Sequence, residues 1–380
     1  MRIVMFKNIA KISIIIVVAF LFLGISAQQF LVEPPPITEE EVVAMPVVQQ
    51  IRAEEVSLTI SAIGDCALGT EYAQRGHTFA TVFTENKKDC GYFLANVSAV
   101  LAEDDLTIAN LETCLTTAEQ RKDKSSLQAV YWLKGEPLYA QILAEGSVEV
   151  VNVANNHTYD YGEAGYRETL HSLEKAGIAY CGFDHVLIKE IKGIKVGFLG
   201  FNQFSYKGVW QAYAALKEQV VESVQALSEQ TDLVIVSFHW GNEREIRPSL
   251  KQYELAQLAI EAGADLVLGH HPHVLQGIRE YKGKQVVFSL GNFCFGGNRQ
   301  PYDRDTLIYR QTFTFVEGEL VRTTSRVIPC SMTTREGYND FQPKVLEGAE
   351  AEKVLHKLKE RSEMINFTAE RNKIRKNAPS

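Results

Sequence analysis

Five stretches along the chain share one pattern: an apolar, β-prone run that closes on Gly, Asn, His or a carboxylate. They are VSLTISAIGD (56–65), DLTIANLE (105–112), VEVVNVANNH (148–157), IKVGFLGFN (194–202) and DLVIVSFHWG (232–241). Between some of them the apolar period lengthens to that of a helix. GEAGYRETLHSLEKA (162–176) has Gly177 as its stop, and LKQYELAQLAIEA (250–262) has Gly263 after it. Ser249 and Gln252 stand at capping-box spacing in front of the second helix, each placed to satisfy a free backbone N–H at its start. Strand and helix in alternation predict an α/β fold with a largely parallel sheet, and near-continuous apolar strands predict burial on both sheet faces. After residue 284 the pattern changes. LIYRQTFTFVEGELVRTTSRVIP (307–329) alternates about the turn Glu317–Glu319 and predicts an antiparallel hairpin.

The ends of the chain depart from this pattern. Lys7 and Lys11 precede ISIIIVVAFLFLGISA (12–27), which carries no charge, so residues 1–27 read as a signal peptide or an N-terminal membrane anchor. Sixteen residues fall short of the roughly 20 that cross a bilayer comfortably, which favours the signal peptide. Residues 28–55 hold Pro34, Pro35, Pro36 and Pro46 among many glutamates and predict an extended linker. The folded domain is expected over 56–345. A helical basic tail, 346–380, carries Lys353, Lys357, Lys359, Arg361, Arg371, Lys373, Arg375 and Lys376, a pattern most often found on a solvated helix face. The leader predicts a domain outside the cytoplasm, membrane-anchored or secreted.

Composition is ordinarily globular, 46% hydrophobic and 23% charged over 380 residues. The net charge of −8 argues against a general nucleic-acid binder, because a polyanion is repelled. Six cysteines, at 66, 90, 114, 181, 294 and 330, lack the CxxC spacing of a thiolate zinc site.

The candidate chemistry sits where the strands stop. GADLVLGHHPHVLQ (263–276) delivers His270, His271 and His273 into one turn after the apolar run Leu266–Leu268. The other strand ends supply Asp65, Glu112, Asn156 with His157, and His239. Oxygen and nitrogen donors gathered at one sheet edge, with no thiolate, suit manganese, iron or zinc, as one ion or as two sharing a carboxylate. Singly each residue has a plainer reading: a strand-end Asp is commonly a turn former, and Asn156 could cap the next segment.

In order, GDCALG (64–69), NLETCLT (110–116), NVANNHTYDYG (152–162), HWGNE (239–243), GHHPHVLQ (269–276) and SLGNFCFGG (289–297) resemble the motif series of the capsule synthesis protein CapA family. That family is associated with poly-γ-glutamate biosynthesis and is similar to calcineurin-type metallophosphatases. The resemblance implies a four-layer αββα sandwich with its metal site at the strand C-terminal ends. It implies one ion among Asp65, Glu112 and His273, another among Glu112, Asn156, His239 and His271, and His157 as the proton donor. His270 is left as a spare group. Asp160 and Glu243 are the acids beside these histidines, Asp160 with a catalytic role alongside His157. Asn292, Glu243, Trp240 and Tyr159 are candidates for the substrate pocket, the two aromatics being equally suited to the core.

Two positions depart from the metallophosphatase plan: Ala67 stands where a ligating histidine is expected two residues after Asp65, and Glu112 stands for the bridging aspartate. Cys66 and Cys114, each within two residues of a proposed ligand, are close enough in this plan for a disulfide. The implied function is an exported metal-dependent hydrolase or transferase of poly-γ-glutamate capsule assembly or export. The implied partners are that or another anionic polymer, capsule synthase or export subunits, and the membrane through the N-terminus. A non-catalytic polymer-binding or scaffold subunit, or a phosphodiesterase on another ester, are the alternatives.

Overall fold

The computed structural model describes residues 55–125, 130–204 and 212–377, the last three of these as backbone only. The expected leader, 1–27, lies outside the described residues, as does the expected linker, 28–55, apart from Glu55. Strands and helices are numbered in chain order.

Two twisted sheets carry the fold. The first contains β1 (Glu55–Ala67), β3 (Leu106–Leu111), β6 (Val150–Asn152) and β7 (Ala179–Cys181), each parallel to its neighbour. On the other side of β1 lie the antiparallel strands β15 (Asp305–Val316), β16 (Glu319–Ser331) and β17 (Lys344–Val345). The short β14 (Asn292–Phe295) pairs parallel with the far end of β1. In the second sheet β9 (Ile194–Asn202), β10 (Leu233–His239), β11 (Leu266–His270) and β13 (Lys284–Val287) are parallel. Its edges are the antiparallel β8 (Leu187–Ile191) and β12 (Ile278–Tyr281). A small third sheet joins β2 (Thr70–Glu71), β4 (Cys114–Leu115) and β5 (Leu133–Gly135).

The core is layered. Leu58, Ile60, Ala62, Leu106, Ile108 and Val150 of the first sheet meet Val196, Phe198, Leu233, Ile235, Leu266 and Leu268 of the second. The outer face of the first sheet, with Ile63, Ala109 and Val151, is covered by α1 (Phe79–Glu85), α2 (Ser98–Leu101), α3 (Ala140–Glu145) and α4 (Gly162–Ala176). The outer face of the second, with Val234, Val236 and Val267, is covered by α5 (Tyr213–Ser228), α6 (Leu250–Ala262) and α8 (Phe367–Asn377). The result is the expected helix–sheet–sheet–helix sandwich, and strands buried on both faces explain the continuous apolar runs.

Local signals placed the elements well where they were local. The Ser249–Gln252 capping box forms, and Gly177 closes α4 in the left-handed conformation at φ +75°. The hairpin β15–β16 turns through Glu317 and Gly318. In contrast, the run 148–157 is strand only over β6. Asn152 accepts from the Ala154 N–H, and Asn155 accepts from both the His157 and Thr158 N–H groups, each at 3.0 Å. Those side-chain turns compete with ladder pairing and curl the segment into a loop.

The basic tail is not simply solvated. Helix α7 (Gly348–Glu363) packs Val354 and Leu358 into the core between the sheets. Lys357 reaches Asp303 at 3.2 Å and also Asp305, while Arg361 donates to the Leu275 carbonyl. Gly277 admits this helix: a Cβ there would meet the Arg361 carbonyl at 2.6 Å.

One close approach positions the site directly. Asp65 donates its N–H to the Gly291 carbonyl at 2.8 Å, and a Cβ on the preceding Gly64 would lie 2.0 Å from that same oxygen. Register along β1 shifts between Ala62 and Asp65, a place where irregular pairing re-aims side chains. Gly64→Ala is therefore expected to destabilise the fold by about 1–3 kcal/mol, as overpacked cores do. A urea denaturation midpoint unchanged from the parent chain would contradict this close packing.

Candidate metal centre

Asp65 at the end of β1, Asn110 and Glu112 at the end of β3, and the loop after β6 come from the first sheet. His239 ends β10 and His270 ends β11, so the second sheet brings His239, His270, His271 and His273 against them. The strand ends of the two face-to-face sheets thus converge on one polar cluster. His239 Nε2 lies 2.8 Å from Asn156 Oδ1, 3.1 Å from His271 Nδ1 and 3.4 Å from Glu112 Oε1. His273 Nδ1 lies 3.2 Å from Asp65 Oδ2 and 2.8 Å from Asn292 Oδ1, with its Nε2 3.8 Å from Glu112. The turn that presents these rings is strained: His271 and His273, on either side of Pro272, hold φ at +95° and +57°. Each such residue costs on the order of 1–3 kcal/mol and persists where surrounding structure imposes it.

Glu112 is the diagnostic residue. It is fully buried, and no hydrogen bond among the described residues satisfies either carboxylate oxygen. Burial holds its pKa well above the ordinary carboxylate range, against the pull of His273. Burial likewise drives His239 and His271 well below the usual histidine value, a shift that crowding by neighbouring imidazoles reinforces. Asp65 behaves oppositely. Burial would raise it, but His270 and His273 beside it hold it well below 3.8. For His273 burial is outweighed by Glu112 and Asp65, which push it up to about 10.

A buried, unsatisfied carboxylate facing the neutral imidazoles of His239 and His271 suits a divalent cation, whose charge would satisfy Glu112, use those lone pairs and displace the proton from His273. Two triplets have ligand atoms within 4.8 Å of one another: Asp65, Glu112 and His239, and Glu112, His271 and His273. Glu112 is common to both. These triplets cross the grouping implied by resemblance, but His273 also lies 3.2 Å from Asp65 and His239 3.1 Å from His271, so the donors of the implied grouping stand together as well. Ala67 is buried in an apolar cluster with Leu133, Phe295 and Met332 and offers no donor. His270, the spare group of the sequence reading, stands 3.3 Å from Asp65 Oδ1.

His157 lies at the rim. Asp160 Oδ2 holds its Nδ1 at 2.7 Å, so Nε2 faces Glu112 Oε1 at 4.0 Å. Asp160 is itself fixed by the Leu133 N–H at 2.7 Å and by Lys124 Nζ at 2.5 Å. Sequence reading missed Lys124, which sits in a polar stretch without period. It also missed Asn110, which donates to Asp65 Oδ1 at 2.9 Å, faces His239 Nδ1 at 3.2 Å and accepts from Asn152 at 3.0 Å. Its signal was present: Asn110 ends an apolar run two residues before Glu112.

A cleft of about 230 Å³ opens onto the cluster, lined in part by His157, His273, Asn292 and Glu243. Two of the pocket candidates are placed elsewhere. Trp240 is fully buried, stacked on Phe238 and donating to the Phe288 carbonyl at 2.9 Å. Tyr159 is buried against Tyr166. Both fill the core, because their strand and loop direct them into the helix-covered faces. All six cysteines are free. The Cys114 thiol donates to the Thr158 carbonyl at 2.8 Å, so the disulfide with Cys66 is not formed.

These shifts set the acid behaviour of the metal-free protein. Below pH 6.5 the unfolded chain protonates His239 and His271 while the native state keeps them neutral, so their contribution to stability falls as pH falls. Glu112, raised in the native state, opposes this on the same limb. Replacing His239→Gln should flatten the loss between pH 6.5 and 5 by up to about 1.4 kcal/mol per pH unit. Urea unfolding in chelator checks it, and equal slopes in the two proteins would refute a neutral buried His239.

Comparison with known proteins gives the arrangement its relatives. A family model described as bacterial capsule synthesis protein PGA_cap matches residues 59–297. The capsule biosynthesis protein CapA of Bacillus anthracis is 27% identical over 259 residues, covering 64% of this chain and 61% of that protein. The PGA biosynthesis protein CapA of Bacillus subtilis is 30% identical over 256 residues, 63% of each chain. A probable polyglutamine synthesis accessory protein of Mycobacterium tuberculosis is 26% identical over 246 residues, 57% of this chain and 64% of that one. The matched region spans a little under two thirds of these relatives. It contains Asp65, Glu112, Asn156, His157, His239, His271, His273 and Asn292, and with more than half its length so matched the chain belongs to the bacterial capsule synthesis protein PGA_cap family.

Proposed function

We propose that this chain is a metal-dependent hydrolase or transferase acting outside the cytoplasm in poly-γ-glutamate capsule assembly. The observation that carries the reading is Glu112, a buried carboxylate without a hydrogen bond, surrounded by histidines and opening onto a cleft. The polymer comes from the names of the relatives, and the export from the leader-like residues 1–27. Capsule synthase or export subunits and the membrane surface are the partners this role requires.

Asp65, Glu112, His239, His271 and His273, with Asn156, would hold one or two ions, and their oxygen and nitrogen donors suit manganese, iron or zinc. When bound, such an ion polarises the acyl or phosphoryl oxygen of the bond to be broken. The protein supplies the proton. Asp160 accepts from His157 Nδ1–H, and His157, carrying a second proton on Nε2 as imidazolium, would protonate a leaving group at the cleft. Lys124 balances the charge of Asp160, so the dyad keeps its orientation in a buried setting.

Ala67 favours a second reading, a polymer-binding or scaffold subunit whose cluster only holds the fold. The two readings separate on His157, which lies at the rim and is not needed to bind an ion.

Two outcomes are expected. Elemental analysis of the purified protein should find one or two transition ions per chain, and His271→Ala should lower that number; a metal-free parent after reconstitution would end the metal reading. His157→Ala should keep its metal and lose about 10²–10⁴ in turnover on γ-glutamyl or phosphoester substrates. Full capsule formation by cells carrying only His157→Ala would instead establish the scaffold role.

A further inference from the structure

The cleft above the cluster is lined by acids, with a single Lys or Arg side chain among the described lining residues, Arg244. Glu71 and Glu243 stand on the same walls, as does Asp303, which Lys357 and Arg361 already neutralise at 3.2 and 3.6 Å. Arg244 has no such partner: no carboxylate among the described residues lies within ion-pair distance of it. Its backbone is nevertheless fixed, and its side chain is exposed at the cleft. The Arg244 N–H donates to the Pro272 carbonyl at 2.8 Å, between His271 and His273, and its guanidinium lies 5.7 Å from the Tyr302 ring centre. Its φ of +63° is a conformation that side chains rarely adopt and that recurs at ligand clamps.

We infer that Arg244 is the anion-binding residue of the cleft, gripping a carboxylate or phosphate oxygen pair of the substrate next to the bond at the metal centre. This rests on the metal-dependent reading above. A guanidinium presents two parallel N–H donors that match either oxyanion. With Glu71 and Glu243 repelling negative charge elsewhere on the walls, an anionic group that does not sit on the metal centre or His273 is drawn to Arg244, so Arg244 sets orientation as well as affinity. Tyr302, itself exposed, shares its loop with Asp303, which α7 anchors, so the loop beside Arg244 is held by the C-terminal helix beyond the matched region.

The test uses the full chain, wild type, Arg244→Ala and Arg244→Lys, with metal content measured on each sample. Inorganic phosphate and a γ-glutamyl dipeptide are titrated calorimetrically into each. The expected result is that wild type binds at least one probe, that Arg244→Ala binds it roughly 10- to 100-fold more weakly at equal metal content, and that Arg244→Lys falls between. The probe that suffers identifies phosphate or carboxylate as the natural group. Binding by Arg244→Ala within twofold of wild type, or no binding of either probe by wild type, overturns the proposal. A wild type without metal that still loses its anion affinity on Arg244→Ala would overturn the metal reading and leave the anion site standing.

Discussion

Glu112 is where the rest of the architecture converges. An isolated carboxylate taken out of water costs several kcal/mol or more unless a cation or hydrogen bonds replace its hydration, and here neither oxygen receives a hydrogen bond. The side chains within 4.0 Å that could respond are the imidazoles of His157, His239 and His273. Two of these, with Asp65 and His271, form the groups able to hold an ion. A cluster that is unfavourable by itself and favourable with a cation explains both the elevated pKa of Glu112 and the depressed values of His239 and His271. All three describe the same polar atoms buried from solvent.

Holding the cluster in place takes backbone that ordinary strands do not have. Gly64 lets β1 approach the Gly291 carbonyl, and the His–Pro–His turn carries two residues at positive φ. Behind the ligands runs a chain of amides: Asn152 to Asn110, and Asn110 to Asp65 and His239. Asn110 touches groups from both sheets, so it locks their separation as well as the orientation of one carboxylate and one imidazole. Such supporting contacts fix tautomer and direction, which a ligand list alone leaves undetermined.

The site departs from the plan its motifs resemble in a way the packing accounts for. Position 67 is enclosed by Leu133, Phe295 and Met332, an apolar pocket that accepts alanine and would strand an imidazole. His270 instead approaches Asp65 from the neighbouring sheet. The environment of Asp65 is thereby supplied by β11 and the turn after it, and the centre depends more on the contact between sheets than on β1 alone.

The sequence by itself determined the layered α/β class, the strand ends that carry the donors, the helix caps and the β15–β16 hairpin. Each is written in local order: buried strands must be apolar throughout, and a capping box or a turn needs only residues a few positions apart. Asp65, Glu112, Asn156, His157, His239, His271 and His273 were legible for the same reason, being polar residues at the points where apolar runs stop. Which of them stand together was decided only by tertiary structure, since Asp65 and Glu112 of one sheet meet His239, His271 and His273 of the other through the packing of two sheets that share no local signal. Lys124 and Arg244 escaped notice because a lysine in a polar stretch and an arginine in a loop look like ordinary surface until Asp160 and the cleft are placed beside them. Trp240 and Tyr159 err in the other direction: proximity to a motif in sequence says nothing about which face a side chain takes, and both turn into the core.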